Sequence, residues 1–96
     1  MDQPKLSVFG YDEGCAACDE LKALLSILRV PFTFTALERD GPARAALRDA
    51  GYATVPQVFT PCGTSLGGFS ELARAGKAGI RLVQEMIGQE HLRRGC

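Results

Sequence analysis

An α/β layer is the fold class this sequence predicts, and three observations predict it. Short apolar runs that read as strands alternate with segments of helical periodicity. Proline and glycine punctuate the junctions between them. At the first passage from strand to helix stands Cys15-Ala16-Ala17-Cys18, flanked by an apolar run before it and a leucine-rich segment after it.

The first strand is Lys5 to Gly10. Leu6, Val8 and Phe9 precede a Gly-Tyr-Asp-Glu-Gly loop, the pattern of a short buried strand that ends at a site. A helix starting at about Cys15 follows, with Leu21, Leu24, Leu25 and Leu28 at i, i+3, i+4 and i+7 as a core-facing stripe. Val30-Pro31 ends it, because a proline disfavours the helical conformation in the residue before it. Phe32-Thr33-Phe34-Thr35-Ala36 alternates strictly and predicts a half-buried strand with both phenylalanines on one face. The next helix runs from Gly41-Pro42 to Ala50, with Asp40 as its N-cap and Gly51 as its stop. Val55-Pro56-Gln57-Val58-Phe59, the turn Pro61-Cys62-Gly63-Thr64 and Ser65-Leu66-Gly67-Gly68 form a hairpin. A last helical region begins near Phe69, breaks at Gly76 and Gly79, and packs Ile80, Leu82, Val83, Met86 and Ile87 inward. His91 to Cys96 reads as a frayed polar tail, so one domain of residues 1–96 is expected, with its core in 5–90.

Composition narrows the function classes. A chain of 96 residues, 46% hydrophobic and 23% charged, can bury a core without metal or disulfide staples. Eleven Lys and Arg balance eleven Asp and Glu, so no global field draws it to nucleic acid or an acidic membrane surface. The longest apolar runs fall short of a membrane span, and Met1-Asp2-Gln3-Pro4-Lys5 lacks a secretory signal pattern. A cytoplasmic monomer is expected.

The cysteines then carry the chemistry. Zinc needs about four ligands, whereas here one C-x-x-C is joined only by Cys62, Cys96 and a single histidine, His91. A C-x-x-C loop is too short to remove much chain entropy as a structural staple. A redox pair is the reading left. Cys15 at the helix start sits over unsatisfied backbone N–H groups, which favour a thiolate, and it is assigned as the nucleophile. Cys18 lies one turn deeper on the same face and is assigned as the resolving thiol. Asp12, Glu13, Asp19 and Glu20 oppose the helix start by like charge. Cys62 lies six residues beyond Pro56, at the far end of the hairpin, and receives no catalytic role; neither does Cys96.

Three motifs together resemble the glutaredoxin family: Cys15-Ala16-Ala17-Cys18, Thr54-Val55-Pro56-Gln57-Val58-Phe59 and Leu66-Gly67-Gly68-Phe69-Ser70-Glu71-Leu72. Their order and separation match over residues 5–76. Val8-Phe9-Gly10-Tyr11-Asp12, Pro31-Phe32 and Pro61-Cys62-Gly63-Thr64 are most similar to glutaredoxins of tailed bacteriophages. The resemblance implies a thioredoxin fold, β-α-β-α-β-β-α, with a four-stranded mixed sheet of order 2-1-3-4 and helices on both faces. It implies a cis Val55-Pro56 bond that presents the Val55 backbone beside Cys15, where an extended peptide or the cysteine of glutathione could pair as an added strand. Gly67, Gly68, Phe69 and Ser70 would receive the γ-glutamyl carboxylate at a helix start, with Thr54 and Tyr11 lining the site.

The sequence departs from the family in two places. Ala16 and Ala17 stand where proline and tyrosine are frequent, so no aromatic ring flanks the thiolate from inside the motif, and Tyr11 is expected to substitute in part. Asp12-Glu13 stands where many members carry a lysine for the glycine carboxylate of glutathione, and the second helix, through Arg44 or Arg48, is expected to supply the cation instead. The activity implied is reduction of protein or glutathione mixed disulfides, recycled by glutathione or a thioredoxin reductase, with ribonucleotide reductase as a protein substrate and no metal. The alternatives are a monothiol deglutathionylase using Cys15 alone, or a dimer that shares a two-iron two-sulfur cluster through Cys15 and two glutathiones.

Overall fold

The computed structural model describes residues 5–95. Its elements run β1 (Leu6–Gly10), α1 (Ala16–Ile27), β2 (Phe32–Ala36), α2 (Pro42–Asp49), β3 (Gln57–Phe59), β4 (Ser65–Gly67) and α3 (Phe69–Arg94). The four strands form one mixed sheet in the order β2-β1-β3-β4. β2 runs parallel to β1 and β3 antiparallel to it, in the arrangement the resemblance implied.

The pleat explains which residues enter the core. Leu6, Val8 and Val58 point to one face and are fully buried against Leu21 and Leu25 of α1 and Leu72, Ile80 and Ile87 of α3. The register sets Phe32 beside Leu6 and Phe34 beside Val8, so both phenylalanines pack against that core as the alternation predicted. The opposite face carries Phe9 and Phe59, whose rings meet edge to face at 5.7 Å. Tyr52, just beyond α2, meets Phe59 at 5.3 Å. No helix among the described residues is long and apolar enough to cross a membrane.

Several local expectations are corrected. α1 ends at Ile27, before Val30-Pro31 is reached: Arg29 takes a positive φ of 57°, and the N–H groups of Arg29 and Val30 return to the carbonyls of Ser26 and Leu25. The N-cap of α2 is Gly41, not Asp40. Pro42 occupies the first helical position and holds the preceding residue extended, so the cap falls on Gly41. Val55 and Pro56 precede β3 and do not belong to it. In α3 only Gly76 leaves helical geometry, at φ 67° and ψ −164°; Gly79 remains helical. Leu82, expected inside, is 65% exposed.

The tail reading is also revised, because His91 to Arg94 continue α3. Ile87 is buried and anchors the final turns, and His91, Arg93 and Arg94 suit the negative end of the helix dipole. Cys96 lies outside the described residues. Cys62 sits in the Thr60–Thr64 turn, at the end of the hairpin away from Pro56.

Candidate active site

Antiparallel pairing of Phe9 with Gln57 brings the end of β1 and the start of β3 to one end of the sheet. Everything chemically distinctive gathers there. Gly10 closes β1, the loop from Tyr11 to Gly14 leads into α1, and Val55-Pro56 enters β3 through a cis peptide bond.

Cys15 is the N-cap of α1, extended at φ −131° and ψ 94°. Its Sγ accepts from the Cys18 N–H at 3.1 Å. One of the donors that a helix start leaves unsatisfied therefore points at the sulfur. Cys15 and Cys18 form a disulfide, with Cα atoms 5.2 Å apart. Their exposure differs: Cys18 is 0% exposed, whereas Cys15 is partly accessible. Gly10 makes room for the inner sulfur, since a Cβ there would stand 2.8 Å from Cys18 Sγ.

The cis-proline loop is held from beneath. Gln57, 6% exposed, donates through Nε2 to the Thr54 carbonyl at 2.8 Å and to Thr54 Oγ1 at 3.2 Å. Gly68, the N-cap of α3, lies against Pro56, where an added Cβ would meet the Pro56 carbonyl oxygen at 2.8 Å. The first turn of α3 is thus pressed against the cis-proline loop. Phe69 and Ser70 stand at its first two positions, where N–H groups lack intrahelical partners.

Glu71 completes that turn. Its carboxylate accepts from the Gly68 N–H at 2.9 Å. That bond and a second from its own backbone N–H hold its pKa below the usual glutamate range; desolvation opposes them, and the charge of Arg74 adds a lesser lowering. A carboxyl whose pKa is depressed on folding contributes stability above its unfolded pKa and loses it as pH falls through the folded value. Urea midpoints of the native chain and Glu71→Gln should therefore differ at pH 7, and the difference should shrink as pH falls from the ordinary glutamate range through the lower folded value. A difference of the same size at pH 7 and pH 3 would show that the carboxylate charge contributes nothing.

Around Cys15 the charges are mixed. Asp12, Glu13 and Glu20 are exposed. Asp19 is 3.8 Å from Lys22, whose ammonium also lies 4.2 Å from the Phe34 ring centroid. The cation placed against the loop that leads to Cys15 is Arg39. Its Nη2 donates to the Glu13 carbonyl at 2.9 Å and to the Gly14 carbonyl at 3.3 Å, and its guanidinium lies 4.2 Å from the Tyr11 ring centroid. An open hollow of about 380 Å³ runs between Tyr11–Glu13 and Ala36–Arg39.

Residues 6–61 match the sequence model of the glutaredoxin family. A glutaredoxin of Enterobacteria phage T4 is 33% identical over 82 residues, an alignment spanning 68% of this chain and 91% of the relative. The chain belongs to the glutaredoxin family. A buckwheat glutaredoxin–glutathione complex superposes with TM-score 0.72 at 28% identity, covering 88% of this chain and 80% of that one. A wheat glutaredoxin superposes with TM-score 0.67 at 31% identity, covering 83% and 82% of the two chains.

Within this glutaredoxin frame, the expected site residues are found as follows. Cys15, Cys18 and Tyr11 share the end of β1, and Thr54, Val55 and Pro56 share the entry to β3. Gly67, Gly68, Phe69 and Ser70 join them from β4 and α3. Arg44, expected to meet a ligand carboxylate, is only 5% exposed, and its guanidinium donates to the Tyr11 hydroxyl at 2.9 Å, the Tyr52 carbonyl at 3.3 Å and the Ala53 carbonyl. The sequence reading missed Arg39 and Gln57. Glu38-Arg39-Asp40 looks like solvated charge, and Gln57 falls where alternation suggests only strand. No group of three or more metal-binding side chains occurs among the described residues.

Proposed function

We infer that this glutaredoxin is a glutathione-coupled dithiol oxidoreductase. The observation that carries the reading is an accessible Cys15 at a helix start, disulfide-bonded to a fully buried Cys18. In the reduced protein the Cys15 thiolate attacks one sulfur of a substrate disulfide. A Cys15–substrate bond forms, and the other substrate sulfur leaves and takes up a proton. Cys18, after losing its proton, attacks Cys15 Sγ; the mixed disulfide breaks, the substrate departs with both sulfurs reduced, and the Cys15–Cys18 bond holds the oxidised state.

Two glutathione thiols restore the pair. The first forms a mixed disulfide at Cys15 and frees Cys18; the second releases glutathione disulfide and leaves Cys15 reduced. The Val55 backbone would pair with the cysteine portion of glutathione, while Gly68, Phe69 and Ser70 would receive its γ-glutamyl carboxylate at the start of α3. Thr54, Gly67 and Tyr11 would border the ligand. The glutathione complex of the buckwheat relative supports this assignment. Arg44 is left out of the ligand set because its donors are engaged within the fold. Ribonucleotide reductase is the protein substrate suggested by the kinship with phage glutaredoxins, in a reducing cytoplasm.

Equilibration of the chain with glutathione buffers, with acid trapping and mass spectrometry, tests the reading. The expected result is one two-electron transition near the glutaredoxin range of about −200 to −230 mV, with a glutathione adduct trapped on Cys18→Ser. A pair reduced only by thioredoxin reductase, with no adduct on that variant, would overturn glutathione coupling.

A further inference from the structure

Arg44 is the one buried residue of α2, and it is a charged one. A helix that needed only to be packed would bury an aliphatic side chain there, because desolvating a guanidinium against neutral acceptors is costly. All three acceptors of Arg44 are neutral: the Tyr11 hydroxyl, the Tyr52 carbonyl and the Ala53 carbonyl. They belong to two different loops. Tyr11 lies in the loop that leads to Cys15, and Tyr52-Ala53 lie in the loop that leads to Val55-Pro56. Gln57 takes the next carbonyl, that of Thr54. Three successive carbonyls are thereby drawn toward buried donors immediately before Val55.

On the other side of Tyr11 stands Arg39, which stacks on the ring and binds the carbonyls of Glu13 and Gly14. The peptide entering Cys15 is thus joined through Arg39, Tyr11 and Arg44 to the peptide entering Val55.

We propose that Arg44 is a positioning residue of this site, fixing, through Tyr11, the spacing between the loop that carries Cys15 and the backbone edge at Val55. The proposal rests on the reading that a disulfide substrate pairs with Val55 while Cys15 attacks it. In such a site a misplacement of about 1 Å is felt strongly in the rate, which gives a rigid brace a function. Lysine cannot replace it, because one ammonium cannot reproduce the planar fork that spans three separated acceptors.

Two variants test this in the full chain. Tyr11→Phe removes only the hydroxyl and keeps the ring under Arg39; Arg44→Lys keeps the charge and loses the fork. The first readout needs no substrate: backbone ¹⁵N order parameters of Ala53, Thr54 and Val55 should fall from about 0.85 toward 0.6 in Tyr11→Phe, although the deleted atom belongs to the other loop. The second is kcat/KM, measured with whichever disulfide the unmutated chain reduces. It should fall about fivefold in Tyr11→Phe, the worth of one hydrogen bond, and Tyr11→Phe should add nothing to Arg44→Lys. A native chain inert toward glutathione disulfides refutes the glutathione reading and leaves this test standing. Order parameters at Ala53 to Val55 that stay at the native value in Tyr11→Phe overturn the proposal, as does a loosened loop with unchanged kcat/KM.

Discussion

Cys15→Ser lowers disulfide reduction by about a thousandfold or more, because it removes the atom that forms the covalent intermediate. Cys18→Ser behaves differently. Its Cys15 still attacks, but release of the mixed disulfide now depends on a thiol from solution. Reduction of a protein disulfide should fall sharply, whereas deglutathionylation, in which glutathione can release Cys15, should persist. The distinction comes from burial. Cys18 is fully enclosed beside Gly10, so it can reach Cys15 but no bulky substrate, while Cys15 at the N-cap is open to attack. The measurement is a pair of assays on each variant, one with a protein disulfide and one with a glutathionylated peptide. Full activity of Cys18→Ser on the protein disulfide would falsify the dithiol mechanism and favour the monothiol alternative.

Features encoded locally were legible in the sequence. The C-x-x-C at a strand-to-helix junction, the alternation of Phe32 and Phe34 and the leucine stripe of α1 each depend on neighbours within one or two turns; the first two took their expected places, as did Leu21, Leu25 and Leu28 of the stripe, while Leu24 is half-buried. Gly51 was readable as a stop because a residue at φ 99° after a helix favours glycine. What was hidden depends on contacts across long separations. Arg44 sits in a helix whose sequence reads as polar surface; its burial follows from Tyr11, 33 residues away. The cationic role of Arg39 depends on carbonyls of Glu13 and Gly14 that no local pattern brings near. At the C-terminal end, polar His91 to Arg94 suggested fraying, but the helix is held by Ile87 below them and closed by Gly95 at φ 73°.

Gly10→Ala should impair the resolving step while leaving the nucleophile's attack nearly intact. A Cβ at position 10 would lie 2.8 Å from Cys18 Sγ and 3.2 Å from the Phe34 ring edge, so neither direction offers room. Phe34 is packed against the core, and the Lys22 ammonium lies 4.2 Å from its ring centroid. The sulfur, at the end of a short side chain, is therefore the atom that yields. Overpacking of this kind costs about 1–3 kcal/mol, and it falls on the state in which Cys18 must occupy that space to close the bond with Cys15. A shift of about 1 Å in a reacting atom can cost on the order of a hundredfold in rate. Rapid mixing of reduced Gly10→Ala with a glutathionylated peptide, followed by acid quench and mass spectrometry, should show a Cys15 mixed disulfide that accumulates and decays slowly, where the native chain passes through it quickly. Alkylation of Cys15 should proceed at nearly the native rate, since the new methyl group faces the inner sulfur. Equal slowing of alkylation and resolution would instead mean that the substitution disturbs the whole end of β1, and the role of Gly10 would then be general packing, with no particular bearing on Cys18.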